Sequence, residues 1–269
     1  MATVDLPTGE TIWYRKLGSG APLLQIHGSA FGHRNFEKMT PLMEPHFEVI
    51  DFDLPGYGES KGLPAPDIAG IADQVFHFIR AAGYEKVSVH GTSFGAMVGL
   101  ALAAKHPEAV DKLILSCFLA RYDNAARMMR ATWKRAAREI GMDAVADLTS
   151  VAGFARSFYE RPEAEAQFAS MREAFCKNTP EAFIAGTEAI ERTDLTPFAP
   201  MVKAKTLLVA GADDNMTPFN PPASGAGFEQ IRKMMPDAQL IIVPDCGHYL
   251  VIEQPQAASD AIVAFMAAP

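Results

Sequence analysis

Apolar positions follow two rhythms along the chain, and their alternation predicts the fold class. Short apolar runs at "PLLQIHG" (22–28), "FEVIDFDLPGYGES" (47–60), "KVSVHG" (86–91), "DKLILSCF" (111–118), "KTLLVAG" (205–211) and "QLIIVPDCGH" (239–248) read as strands. "ETIWYRKL" (10–17) alternates apolar and polar and reads as an antiparallel strand. Between these runs the spacing turns helical, in "IAGIADQVFHFIRAAG" (68–83), "FGAMVGLALAAKH" (94–106), "GFEQIRKMM" (227–235) and "PQAASDAIVAFMAA" (255–268). Strands separated by helices of this length imply a mostly parallel sheet covered on both faces.

Residues 120–196 break the rhythm. They carry amphipathic helical patterns ("RMMRATWKRAAREIG", "FARSFYERPEAEAQFASMREAF", "PEAFIAGTEAIERT") and no strand pattern. A helical block between two strands of one sheet predicts an insertion. The expected organisation is a core of 1–119 and 197–269 with a helical cap of 120–196.

Composition narrows the classes. The 269 residues suit one α/β domain with an insertion, and 49% hydrophobic with 21% charged residues is an ordinary folded composition. A net charge of −8 argues against a nucleic-acid partner, which needs clustered basic charge. Three widely spaced cysteines, Cys117, Cys176 and Cys246, show neither a disulfide framework nor a metal-ligand pattern. The start "MATVDLPTGETIWYRK" lacks an apolar leader, and no stretch is long enough to span a bilayer. The expected location is the cytoplasm, with no membrane partner.

Gly91-Thr92-Ser93-Phe94-Gly95 fits G-x-S-x-G at a strand-to-helix turn. Such a turn strains the backbone and lifts the serine hydroxyl above the sheet edge; a Cβ two residues to either side would clash. A serine there needs a general base. Among seven histidines, His248 lies at the carboxyl end of the last predicted strand, where α/β proteins place their sites. His27 and His90 read as buried structural residues, and His33, His46, His77 and His106 as solvated ones. The base needs an orienting carboxylate, and "LLVAGADDNMTP" (207–218) offers Asp213 and Asp214 just after a strand.

Taken together, "IHGSAFG", "DFDLPGYGES", "VHGTSFGAM", "VAGADDNMTP" and "CGHYLVIEQP" resemble the α/β-hydrolase superfamily, in its chain order of serine, acid, histidine. The resemblance covers nearly the whole chain outside the insertion. It implies the α/β-hydrolase fold, a mostly parallel central sheet flanked by helices with an inserted helical cap. It also implies a catalytic triad of Ser93, Asp214 and His248. Asp214 is preferred to Asp213 because Gly211, Asp214 and Pro218 fit the family's G-x-x-D-x-x-x-P pattern. Some members carry the acid after the preceding core strand, which here would be Asp123. The oxyanion hole is expected at the backbone N–H groups of Ser29 and Phe94. Asp53 falls in a family loop whose usual role is structural.

The implied chemistry is hydrolysis of a carboxylic ester or lactone through an acyl-enzyme, with no cofactor and no metal. The stretch from "TPEAFIAGTEAIERT" to "VAGADD" is most similar to 3-oxoadipate enol-lactonases. Hydrolases of meta-cleavage products, which break carbon–carbon bonds, are the alternative. Their serine is more often preceded by asparagine and followed by methionine, whereas here Thr92 and Phe94 flank it. A small-molecule receptor of the same fold is a further alternative. A small-molecule substrate is the expected partner, with self-association into a homo-oligomer left open. Within the cap, Met128, Met129, Trp133, Phe154, Phe158 and Phe168 are candidates for lining the pocket, and Arg34 for pairing with a substrate carboxylate.

Overall fold

The computed structural model describes residues 1–268, which form one eight-stranded sheet with helices on both faces. The strands are β1 (Ala2–Asp5), β2 (Thr11–Gly18), β3 (Pro22–Ile26), β4 (Glu48–Phe52), β5 (Val87–Thr92), β6 (Val110–Ser116), β7 (Lys205–Gly211) and β8 (Gln239–Val243). Their order across the sheet is β1-β2-β4-β3-β5-β6-β7-β8. β2 pairs antiparallel with β1 and β4, and every later pairing is parallel.

The sequence reading finds seven of these strands and misses β1. That strand is four mostly exposed residues with no periodic signal, and its register on β2, Ala2↔Tyr14 to Asp5↔Thr11, gives it its form. The expected strand over 239–248 is also too long. β8 ends at Val243, and the left-handed backbone of Asp245 (φ 47°) turns the following apolar stretch into a loop. That loop carries His248.

The core helices are α1 (Thr40–Met43), α2 (Ile68–Ala81), α3 (Phe94–Lys105), α8 (Phe228–Met234), α9 (Leu250–Glu253) and α10 (Pro255–Ala267). In α3 every residue from Phe94 to Ala104 is buried. A helix apolar all round is one packed all round, and α3 lies against both β5 and β6 beneath the turn that begins it.

Between β6 and β7 come α4 (Asn124–Glu139), α5 (Met142–Gly153), α6 (Ala164–Cys176) and α7 (Pro180–Arg192). This helical segment leaves and rejoins the core at one place. The Leu195 N–H donates to the Ala120 carbonyl at 2.8 Å, and Arg121 bridges both Asp194 and Ala226. No helix among the described residues is long and apolar enough to cross a membrane.

Candidate active site

The turn around Ser93 shows why its glycines are needed. A Cβ on Gly91 would overlap the Gly95 carbonyl, and one on Gly95 would overlap the Ile26 carbonyl. Strand and helix can therefore cross this closely only without side chains there. Ser93 itself sits at φ 53°, ψ −115°, a conformation that costs a non-glycine residue about 1–3 kcal/mol. Ala30, Cys117 and Asp245 also have positive φ, and each follows the carboxyl end of a strand. Backbone strain thus gathers at the sheet edge where Ser93 stands.

Ser93 Oγ lies 2.9 Å from His248 Nε2, and His248 Nδ1 lies 3.0 Å from Asp214 Oδ2. The Nδ1 atom faces a carboxylate, so it carries the proton and leaves the Nε2 lone pair for the serine hydroxyl. Asp214 is fixed in turn. Its Oδ1 accepts the Met216 and Thr217 amides at 2.9 and 2.8 Å, and its Oδ2 accepts the Thr217 hydroxyl at 2.6 Å. Thr217 Oγ1 also lies 3.0 Å from His248 Nδ1, so one hydroxyl steadies Asp214 and His248 together.

Burial pushes the Asp214 carboxyl upward, but the adjacent His248 imidazole and the Thr217 hydrogen bonds outweigh it. The net result holds Asp214 below its ordinary range. Asp213 is exposed. Asp123, the other acid considered, caps α4 by accepting the Ala126 amide at 2.8 Å.

The remaining histidines divide by environment. His27 is buried, accepts the Leu54 N–H through Nε2 and is pushed down by burial. His90, buried against Phe36, is pushed down to about 3. His33 departs from the expectation of a solvated residue. Its ring contacts the Asp53 carboxylate at 3.0 Å, and Asp53 also accepts the His33 and Glu59 amides. Asp53 therefore knits its loop, the structural role expected. His106 likewise pairs with Asp73 and stacks on Phe76.

Glu253, which sequence reasoning did not single out, anchors the histidine loop. Its buried carboxylate accepts the amides of Gly247 (3.1 Å) and Tyr249 (3.1 Å), on either side of His248, and of Ala155 (2.9 Å) in the helical segment. Burial raises this carboxyl above its ordinary range despite those donors.

Above Ser93 opens a narrow pocket of about 460 Å³, counting its mouth. Ser29 lines it, and no acceptor among the described residues takes the Ser29 or Phe94 amide N–H. Trp133 is the one expected aromatic that reaches this pocket. Met128 is instead 69% exposed, while Met129, Phe154, Phe158 and Phe168 pack in the hydrophobic cluster beside it. Arg34 pairs with Glu173 at 3.2 Å outside the pocket.

The pocket's charge comes from a residue not singled out, Arg130. It is only 5% exposed, and among the described residues its one hydrogen-bond partner is the Tyr122 hydroxyl at 2.8 Å, with its guanidinium over the Tyr122 and Trp133 rings. A signal existed: Ala126, Arg130, Trp133 and Ala137 form one helical stripe, and a cation inside an apolar stripe is unusual.

A family model of the alpha/beta hydrolase fold matches residues 21–255. The chain belongs to this family. Among its curated relatives is the 2-hydroxy-6-oxo-6-(2'-aminophenyl)hexa-2,4-dienoic acid hydrolase of Metapseudomonas resinovorans, 25% identical over 94% of this chain and 86% of the relative. A pimeloyl-[acyl-carrier protein] methyl ester esterase from Nitrosomonas europaea is 27% identical over 89% and 93%. Among solved structures, the enol-lactonase of Burkholderia xenovorans superposes with a TM-score of 0.88 at 23% identity, covering 99% of this chain and all of that one. The α/β-hydrolase fold expected from the motifs is therefore the fold observed, and both relatives named above are hydrolases.

Proposed function

We propose that this α/β-hydrolase cleaves the carboxylic ester or lactone bond of a small molecule carrying an anionic group, through an acyl-enzyme on Ser93. The observation that carries the reading is the hydrogen-bond chain from Ser93 through His248 to Asp214, beside two amides with no acceptor among the described residues.

In the first half-reaction the Ser93 Oγ–carbon bond forms while His248 Nε2 takes the hydroxyl proton. The carbonyl electrons move to oxygen, and the Ser29 and Phe94 amides stabilise that oxyanion, each donor being worth about 3 kcal/mol. Asp214 stays ionised and stabilises the imidazolium. The carbon–oxygen bond to the leaving group then breaks, and His248 returns the proton to that oxygen. In the second half-reaction water attacks the acyl carbon, with His248 again as base, and Ser93 is regenerated. The helices α4–α7 serve as the cap, excluding bulk water from these steps.

Arg130 supports the anionic preference. A buried guanidinium whose partners are a neutral hydroxyl and two rings lacks the carboxylate that a buried charge needs. A substrate carboxylate would supply it in bidentate geometry. The relative from Metapseudomonas resinovorans is named for acting on an acid, and the solved enol-lactonase lends the lactone alternative. A second reading, hydrolysis of a carbon–carbon bond in an anionic ring-fission product, rests on the similarity to that first relative.

The test is a steady-state assay of wild type and Ser93→Ala against p-nitrophenyl acetate and butyrate, monomethyl esters of dicarboxylic acids, an enol-lactone and a vinylogous 1,5-diketone. Serine-dependent turnover that favours the anionic esters or the lactone is expected. Turnover of the diketone alone would favour the second reading. Turnover that survives Ser93→Ala would defeat both.

A further inference from the structure

The pocket holds a second polar group that the reaction scheme leaves unused, the side chain of Asn35. It lies in the turn Gly32–Phe36 after β3, is only 4% exposed and lines the pocket beside Ser29 and Ser93. Its Oδ1 accepts the Gly28 N–H at 2.7 Å. A backbone amide can only donate, so this bond fixes which end of the carboxamide is oxygen. The Nδ2 group then carries the two N–H donors, and Asn35 borders both this pocket and a neighbouring cavity lined by Phe31, Arg34, Lys38 and Met171. Among the described residues no protein acceptor takes either one, yet Nδ2 is absent from the fully enclosed unpaired polar atoms, Gln25 Nε2, His90 Nδ1 and Thr187 Oγ1. It is an unpaired donor that is not fully enclosed, on a residue that lines the pocket, and buried donors are rarely left without a partner.

Its place relative to the nucleophile is defined through Gly28. A point one Cβ above Gly28 is 3.1 Å from Asn35 Oδ1 and 3.5 Å from Ser93 Cβ, so the carboxamide and the serine flank the same glycine. The next residue, Ser29, supplies one of the two amides assigned to the oxyanion. Asn35 therefore borders the loop that carries this amide, beside the turn that carries Ser93.

We propose that Asn35 is a specificity-determining residue whose Nδ2 donates to a hydrogen-bond acceptor on the carbon adjacent to the reacting carbonyl. The favoured acyl groups are then 2-alkoxy, 2-hydroxy or 2-oxo acyl groups rather than plain alkanoyl ones. This rests on the Ser93 reading and narrows its substrate class. A pocket built to hydrogen-bond a substrate oxygen discriminates strongly against the analogue lacking it, because its own donor is then stranded.

The test compares p-nitrophenyl methoxyacetate with p-nitrophenyl butyrate, which differ by one oxygen in place of a methylene, each rate normalised to its spontaneous hydrolysis. Wild type is expected to prefer the methoxyacetate, and Asn35→Leu to reduce that preference by about tenfold. Asn35→Asp keeps an acceptor for the Gly28 amide and removes the donor, so it should lose the preference as well. It also covers the case in which Asn35→Leu fails to fold. A wild type without the preference overturns the proposal, as does an equal loss on both esters in the variants, which would make Asn35 a donor to the oxyanion itself. If neither ester shows Ser93-dependent turnover, the hydrolase reading fails instead.

Discussion

Ser93 Oγ and His248 Nε2 lie 2.9 Å apart although 155 positions separate them in the chain. Ser93 follows β5 and His248 follows β8, with β6 and β7 between them in the sheet. Two anchors hold the histidine loop across that gap. The His248 N–H donates to the Gly153 carbonyl of the helical segment at 2.6 Å, and Glu253 accepts the amides on either side. His248 is thus held jointly by the core and by the helical segment.

If Ser93 is the nucleophile proposed, replacing it should leave binding and remove chemistry. Ser93→Ala is expected to lower kcat by roughly 10⁴- to 10⁶-fold with little change in KM, and His248→Gln should do much the same. Because the two act as one unit, the double variant should lose hardly more than either single one. Losses that multiply in the double variant would show the two residues acting independently.

Asp214 makes a prediction about pH. Its folded-state pKa is depressed below an unfolded value of about 3.9. Such a carboxylate contributes stability that is fully present above the unfolded pKa and is lost as pH falls through the folded one. The stability difference between wild type and Asp214→Asn should therefore hold from neutral pH to about pH 5 and shrink below about pH 4. Urea unfolding at pH 7, 5 and 3 measures it, and a difference that stays constant to pH 3 would contradict the depressed value. The same variant should lose about 10⁴-fold in kcat through misorientation of the imidazole.

The parts of this architecture that local pattern determines were legible in the sequence. Buried strands such as β5 and β7 announce themselves as apolar runs, and Gly91 and Gly95 mark the one place where strand and helix must nearly touch. The chain order of Ser93, Asp214 and His248 pointed to residues that the fold brings within hydrogen-bond range. What stayed hidden depends on the third dimension. β1 exists only because β2 offers an edge, and Asn35 matters only because folding brings its side chain to Gly28. Five of the six apolar residues of the helical segment named as pocket candidates pack elsewhere or face solvent. Helical spacing reports that a face is buried, not which cavity it meets.

Glu253 should act on stability and activity together. Its two carboxylate oxygens satisfy three amides, and a glutamine there would turn an –NH₂ group toward at least one of those donors. Stranding a buried donor costs about 1–3 kcal/mol. Glu253→Gln is expected to lower the unfolding free energy by about that amount and to reduce kcat, since Gly247 and Tyr249 set the position of His248. Chemical denaturation with steady-state kinetics reads both. Loss of stability with unchanged kcat would make Glu253 a fold anchor with no part in orienting the base.

Arg130 gives the most discriminating test of substrate class. If its guanidinium receives a substrate carboxylate, its removal should penalise charged substrates selectively. Hydrogen bonds to charged groups are worth about 1.5–3 kcal/mol, a 10- to 150-fold change in kcat/KM. Arg130→Gln should show that loss on a monomethyl dicarboxylate and leave a neutral ester of equal length within about threefold. Arg130→Lys should recover only part of it, because an ammonium lacks the planar fork that meets both carboxylate oxygens. The loss on the charged ester should fall mainly in KM, since the carboxylate is bound alike in ground and transition states. Equal losses on charged and neutral esters would point the other way, to a cation that packs Tyr122 and Trp133 into place and takes no charge from the substrate.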